Sequence, residues 1–200
     1  MTPRLGAYVL PGDPVWLRSS LARYYPLLDD LVVPVPTSGR GWTGHPIPVD
    51  ECLRIIREID VRGIVREVEG DWVDTDRPMR ADTAQRQAAV DALGERVDWI
   101  LQVDNDEVLP DTGALLEALG RADAAGCDAV EWPMRVLFRA RSRGRFLVVT
   151  GPVERTSSNI PVPSLCALER RWLMLVGLLT RASCAWSSEG TRRAFKSHIR

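Results

Sequence analysis

Lysine is nearly absent from this chain. Its 200 residues include one, Lys196, against 25 arginines. The formal net charge is −1, so the overall electrostatics do not suggest a nucleic-acid partner. Arginine suits bidentate phosphate contacts better than lysine does. Histidine is scarce as well. His45 sits in a Pro/Gly loop and reads as a surface residue, and His198 lies in a basic tail. The four cysteines, at 52, 127, 166 and 184, form no CxxC pair and have no histidine nearby. That excludes the usual zinc spacings and does not indicate a disulfide framework. They read as buried thiols of a reducing cytosol.

Long apolar runs are missing too. The longest, WLMLVGLL at 172–179, is far short of the roughly 20 residues that span a bilayer. The opening MTPRLGAYVLPGD lacks the charged and apolar regions of a signal peptide. A cytoplasmic protein is expected. Charge is unevenly spread: residues 1–150 carry 18 basic and 24 acidic side chains, and residues 151–200 carry 8 and 3. The basic end leaves peripheral contact with the inner membrane face open. RRWLMLVGLL (170–179) itself reads as a core helix.

What is present is a regular alternation. LGAYVL (5–10) is a short apolar strand that stops at Pro11-Gly12. Asp13-Pro14 then opens a helix by capping, with Leu17, Leu21, Tyr24 and Leu28 on one face. DLVVPV (30–35) is the second strand, followed by a Pro/Gly loop over 36–48. A helix over 49–60 carries Cys52, Ile56 and Ile59 on one face, and GIVREV (63–68) is the third strand. A polar loop over 69–80 precedes a helix over 81–94, with Ala81, Ala84, Ala88 and Ala92 expected against the sheet. DWILQV (98–103) is the fourth strand. Pro110-Asp111-Thr112 opens a helix with Leu115, Leu119 and Ala122 inward. Residues 127–138 and 145–150 read as two more strands.

This pattern predicts an α/β fold with a mostly parallel central sheet over residues 1–150. Residues 151–200 read as a divergent C-terminal extension with no acceptor-site motif, open as an incomplete acceptor region or an incorrectly translated end. In such sheets, ligands bind beyond the carboxyl ends of the strands. The cluster Asp104, Asn105, Asp106 and Glu107 falls there, directly behind DWILQV. Two carboxylates at i and i+2 suit magnesium or manganese, which prefer oxygen ligands and complete their shell with phosphates and water. The bland alternative is a solvated turn before the next helix.

QRQAAVDALGERVDWILQVDNDEVLPD (85–111) and YVLPGDPVWLRSSLARYYPLLDDLVVPVP (8–36) resemble family 2 glycosyltransferases of the GT-A fold. The resemblance spans about residues 5–140. It implies a Rossmann-like three-layer sandwich that moves a sugar from a nucleotide-diphosphate donor to a glycan, lipid-linked or small-molecule acceptor. It places a manganese or magnesium ion at Asp106, with Asp104 near the ribose or the metal. Arg86, or Arg80 in the loop before it, would contact phosphate, with a solvated arginine as the alternative for each. Pro11 and Gly12 would let the backbone approach the base. The turn after strand two has Thr37 and Ser38 where the family often has an aspartate, so recognition of the base is not accounted for. The general base is not identified: Glu131 and Glu154 are the acidic residues near the acceptor side, and neither sits in a recognisable pattern.

Two rivals remain. QVDNDEV also fits the Asp-x-Asp of haloacid-dehalogenase-like phosphatases, but the lysine that chemistry needs is available only at Lys196. A non-catalytic nucleotide-binding domain fits the missing acceptor features. Two further classes are excluded by residue type. An EF-hand loop needs glycine where Leu109 stands, and nucleotide pyrophosphorylases open with a Gly-rich basic loop that is absent.

Overall fold

The computed structural model describes residues 3–131 and, as backbone only, three later strands at 137–140, 146–148 and 178–181. The elements are β1 (Leu5–Tyr8), α1 (Leu17–Tyr24), β2 (Asp30–Pro36), α2 (Val49–Ile59), β3 (Val65–Gly70), α3 (Pro78–Leu93), β4 (Trp99–Gln102), α4 (Thr112–Ala124), β5 (Ala129–Glu131), β6 (Leu137–Ala140), β7 (Phe146–Val148) and β8 (Leu178–Arg181).

The main sheet has the order β3-β2-β1-β4-β8-β5. Strands β3, β2, β1 and β4 are mutually parallel, while β8 runs antiparallel to both β4 and β5. The mostly parallel α/β sheet expected from the alternation is therefore present. Its inner strands β1, β2 and β4 are nearly continuous apolar runs because both faces are covered. On one face, Leu17 and Leu21 of α1, Cys52 and Ile56 of α2, and Leu115 and Leu119 of α4 pack against Ala7, Leu31, Val33 and Leu101. On the other, Ala89 and Leu93 of α3 pack against Tyr8, Val32 and Ile100. These are the three layers of a GT-A-like sandwich.

Gly6 shows how closely α3 is seated. A Cβ there would lie 2.9 Å from Val97 Cγ1 and 3.0 Å from Leu93 Cδ2, so position 6 admits no side chain unless Val97 or Leu93 shifts. The acidic pair before β2 also has a structural role. Asp29 accepts from the Leu5 N–H at 2.8 Å. The buried Asp30 takes a two-point contact from Arg66, whose guanidinium also reaches the Ala92 carbonyl. Both aspartates lie at the amino edge of the sheet, away from the strand ends where ligands bind.

Several local expectations need correction. α1 starts at Leu17, not at Pro14, because Asp13 spends its carboxylate on the Val15 N–H (2.9 Å) in a local turn. α3 starts at Pro78, so Arg80 belongs to its first turn and not to a loop. The buried side of α3 is Ala81, Asp82, Gln85, Arg86, Ala89 and Leu93, and Ala84 is exposed. The alanine pattern misplaced the face because three of its buried residues are polar. The stretch 127–138 is not one strand: β5 joins the main sheet, and β6 pairs with β7 in a separate two-stranded sheet. The apolar stretch read as helical ends as strand at Leu178 and Leu179, which pair with β4 and β5. Cys52 is a buried free thiol, whereas Cys127, expected as a thiol, is disulfide-bonded. Among the described residues, no helix is long and apolar enough to cross a membrane.

Candidate functional site

The chain order 3-2-1-4 places a topological switch between β1 and β4. From β1 the chain moves outward to β2 and β3, then returns to the opposite side of β1. The loops after β1 and β4 therefore diverge, and a crevice opens at their carboxyl ends. A cleft of about 380 Å³ occupies this place. Leu10, Pro11, Gly12 and Asp13 come from the loop after β1, and Asp104, Asn105 and Asp106 from the loop after β4. Gln85 and Arg86 come from α3, and Trp42 from the loop after β2.

Each wall has an identifiable cause. The Gly12 N–H donates to the Leu10 carbonyl at 2.9 Å, folding the chain tightly about Pro11. Asn105 donates to the carbonyls of Leu10 (2.7 Å) and Asp13 (3.0 Å), clamping the two cleft loops together. Glu107 accepts from the Asp104 N–H at 2.9 Å and donates its own N–H to the Asp104 carbonyl, closing the acidic turn. Asp111 ends that segment by capping α4, its carboxylate accepting from the Ala114 N–H at 3.0 Å. Asn105 and Glu107, which the sequence leaves without an assigned role, are thus the braces of the site.

Arg86 is almost fully buried, with its side chain 9% exposed. Its Nε donates to Asp82 at 2.6 Å and its Nη1 to Asp104 at 2.9 Å. The solvated-arginine alternative does not hold for it. Asp104 is half exposed and Asp106 exposed. Of the residues singled out in the sequence, Pro11, Gly12, Arg86, Asp104 and Asp106 meet at this cleft. Arg80 is exposed and is not among its lining residues. Thr37 and Ser38 line a separate groove and are bonded to Gly70 and Asp71. His45 is exposed, as expected. Glu131 ends β5, and Glu154, Lys196 and His198 lie outside the described residues.

Burial pushes the Glu107 carboxyl up to about 7, and the neighbouring Asp104 and Asp106 add to this. The Asp104 N–H and Arg86 oppose it. Glu107 therefore takes up a proton near neutrality beside two carboxylates. The charged lining comprises three carboxylates and one guanidinium, formally −2. Among the described residues, no three histidine, cysteine or acidic side chains gather as a metal cage. The pair Asp104 and Asp106 still fits a cation that brings its own phosphate and water ligands, since such an ion needs only one or two carboxylates.

Trp42 and Gln85 are the residues sequence reasoning missed. The Trp42 indole N–H donates to Gln85 Oε1 at 2.7 Å, and Gln85 Nε2 donates to the Pro34 carbonyl at 2.8 Å. The only advance signal is a glutamine one position before Arg86, on the same helical face.

No protein-family model and no curated protein sequence matches the chain. Solved structures do. The 2-C-methyl-D-erythritol 4-phosphate cytidylyltransferase of Francisella tularensis superposes with a TM-score of 0.50 at 9% identity, covering 98% of this chain and 80% of that one. The likeness is one of fold. It supports a GT-A-like α/β fold for this chain. The 4-diphosphocytidyl-2C-methyl-D-erythritol synthase of Anaerococcus prevotii gives a TM-score of 0.49 at 11% identity, over 99% of this chain and 78% of that one. A mannosyltransferase of Pyrobaculum calidifontis, solved with GDP-Man and Mn2+, gives 0.46 at 16% identity, over 68% of this chain and 36% of that one.

Proposed function

We propose that the cleft binds a nucleoside-diphosphate sugar together with a manganese or magnesium ion. On this reading the protein is a family 2-like glycosyltransferase acting on a glycan, lipid-linked or small-molecule acceptor. The observation that carries this reading is the charge of the cleft at the switch point. A cleft with a formal lining charge of −2 repels a bare diphosphate. A diphosphate that arrives with a divalent cation meets Asp104 and Asp106 as ligands and Arg86 as a phosphate donor. The cation, when bound, supplies Lewis-acid stabilisation of the departing diphosphate.

The chain's own residues do the rest. Asp82 holds the Arg86 guanidinium in place from the preceding turn of α3. Glu107 closes the acidic turn and Asn105 holds it against the Pro11 loop, so that the diphosphate lies between fixed walls. Fixed donors and ligands of this kind need no reorganisation on binding. Nucleotidyl transfer, the alternative on the same fold, must neutralise a triphosphate beside the loop after β1. That loop, Leu10 to Trp16, has Asp13 as its only charged residue, which disfavours it.

The test is a crossed comparison. Binding of UDP and GDP is measured by calorimetry with Mn2+ and with EDTA, for the native protein and Asp106→Asn. With Mn2+ the variant should bind at least about tenfold more weakly, a loss of about 1.4 kcal/mol. With EDTA it should bind as well as the native protein or better, because a repelling carboxylate is gone. Equal loss in both conditions, or no binding of either nucleotide at millimolar concentration with Mn2+, refutes the reading. Sugar transfer or donor hydrolysis then separates an enzyme from a binder.

A further inference from the structure

We propose that Trp42 is the stacking platform for the ligand's nucleobase, and that Gln85 is the positioning residue that fixes it. This inference rests on the cleft being a nucleotide site.

The loop carrying Trp42 is built to hold it. Arg40 and Pro46 pair across the loop as an antiparallel bridge. The Gly41 N–H donates to the His45 carbonyl and the Gly44 N–H to the Gly41 carbonyl. Gly44 has φ +80°, and a Cβ there would press on Thr75 at 3.2 Å, so the turn is sealed against the loop before α3. The Trp42 carbonyl in turn accepts from the Asp74 N–H at 3.0 Å.

The side chain is held from the other direction. Gln85 is 5% exposed. A buried amide is costly unless bonded, and this one connects the Pro34 carbonyl in β2 to the Trp42 indole N–H. The polar edge of the indole is thereby occupied, and its aromatic surface is what remains for a ligand. A ring fixed before binding loses little rotamer freedom on contact.

The chemistry around Trp42 favours a planar base over a sugar. Its neighbours in the cleft include Leu10, Pro11 and Ile47, which offer apolar surface. Gln85 already uses its oxygen and one amide hydrogen within the protein. A hydroxyl-rich sugar would find few partners there, whereas every base has a π-face. Asp104 and Asp106, the cation ligands, lie on the β4 side of β1, Arg86 reaches Asp104 from α3, and Trp42 comes from the β2 side. A donor bound across the switch point thus puts its two ends on opposite sides, and the apolar aromatic end suits the base.

The experiment measures dissociation constants for UDP, GDP, UDP-glucose and inorganic pyrophosphate, all with Mn2+. Trp42→Ala should weaken UDP and GDP by roughly 5- to 150-fold and leave pyrophosphate within about twofold. Trp42→Phe should restore most of the loss. Gln85→Leu should lose part of the nucleotide affinity with pyrophosphate unchanged, a split that mere loss of stability does not produce. If Trp42→Ala does not fold, Trp42→Leu and Gln85→Leu carry the same comparison. The proposal is overturned if a folded Trp42 variant binds UDP and GDP as the native protein does. It is equally overturned if pyrophosphate weakens in step, or if only UDP-glucose is affected. Native protein that binds pyrophosphate as tightly as UDP also sinks the platform while leaving the anion site intact. Native protein that binds neither refutes the nucleotide reading itself.

Discussion

Replacing Arg86 by methionine isolates the ion-paired wall of the cleft. The two partners of Arg86 differ in surroundings. Asp82 is 11% exposed and Asp104 is 44% exposed. Removing the guanidinium leaves the Asp82 carboxylate buried beside an apolar side chain. Breaking a buried pair from one side costs about 3–5 kcal/mol. Asp104 instead recovers water, and a pair so exposed contributes about 0–1 kcal/mol. Arg86→Met should therefore cost about 3 kcal/mol, nearly all of it owed to Asp82. For a chain of this length the melting temperature should fall by roughly 6–12 °C. A double-mutant cycle by urea denaturation apportions the loss. The coupling of Arg86 to Asp82 should exceed about 1.5 kcal/mol, and its coupling to Asp104 should stay below about 1 kcal/mol. Asp82→Leu with Arg86→Met should regain most of the stability, since an apolar pair of similar volume replaces a buried ion pair at little cost. The same double variant should not bind pyrophosphate tightly. A cost below about 1 kcal/mol for Arg86→Met, or a larger coupling to Asp104 than to Asp82, would refute the placement of Arg86 as a buried, ion-paired wall.

Three other outcomes are expected. Gly6→Ala should cost about 1–3 kcal/mol by overpacking against Val97 and Leu93; an unchanged urea midpoint would contradict the close seating of α3. Asn105→Ala leaves the Leu10 and Asp13 carbonyls without their amide partner. It should cost about 1–2 kcal/mol and speed hydrogen exchange at residues 10–13, an effect confined to that loop. Glu107 has its folded pKa raised from 4.5 to about 7. In EDTA, stability should fall as pH rises from about 4.5 to 7, because the unfolded state loses its proton first, and should level off above. The ~3 kcal/mol implied by the full displacement shrinks to ~1–2 kcal/mol for a side chain partly open to water. Glu107→Gln should remove that slope, and an identical pH profile in the variant would show that Glu107 is not its source.

The parts of this fold that were legible in the sequence are those where one physical signal acts alone. Short apolar runs ending at Pro11-Gly12 or at Asp104 mark strands buried on both faces, and the structure has them at nearly those bounds. Leu115, Leu119 and Ala122 mark an inward helical stripe, and Asp111 caps that helix as its residue type predicts. The acidic cluster was legible as a position, because a polar turn behind a buried strand in an alternating chain falls at the carboxyl edge. Where two signals compete, the pattern misleads. In α3 the small alanines advertise one face, while Gln85 and Arg86 are buried on another because their partners lie elsewhere in the chain, and Asp82 is buried with them as the partner of Arg86. Asp104 is 18 positions from Arg86, Trp42 is 43 from Gln85, and Pro34 is 51 from Gln85. Helical periodicity scores polarity as exposure, so it assigns such residues to solvent. The same limit hid Trp42, which as a lone aromatic in a Pro/Gly loop has no periodicity to place it. Buried polar residues on the amino-terminal half of a helix after β3 are thus the feature to seek in a chain of this kind. The apolar half of α3, Ala89 and Leu93, docks it on the sheet, and the polar half builds the wall that a ligand would meet.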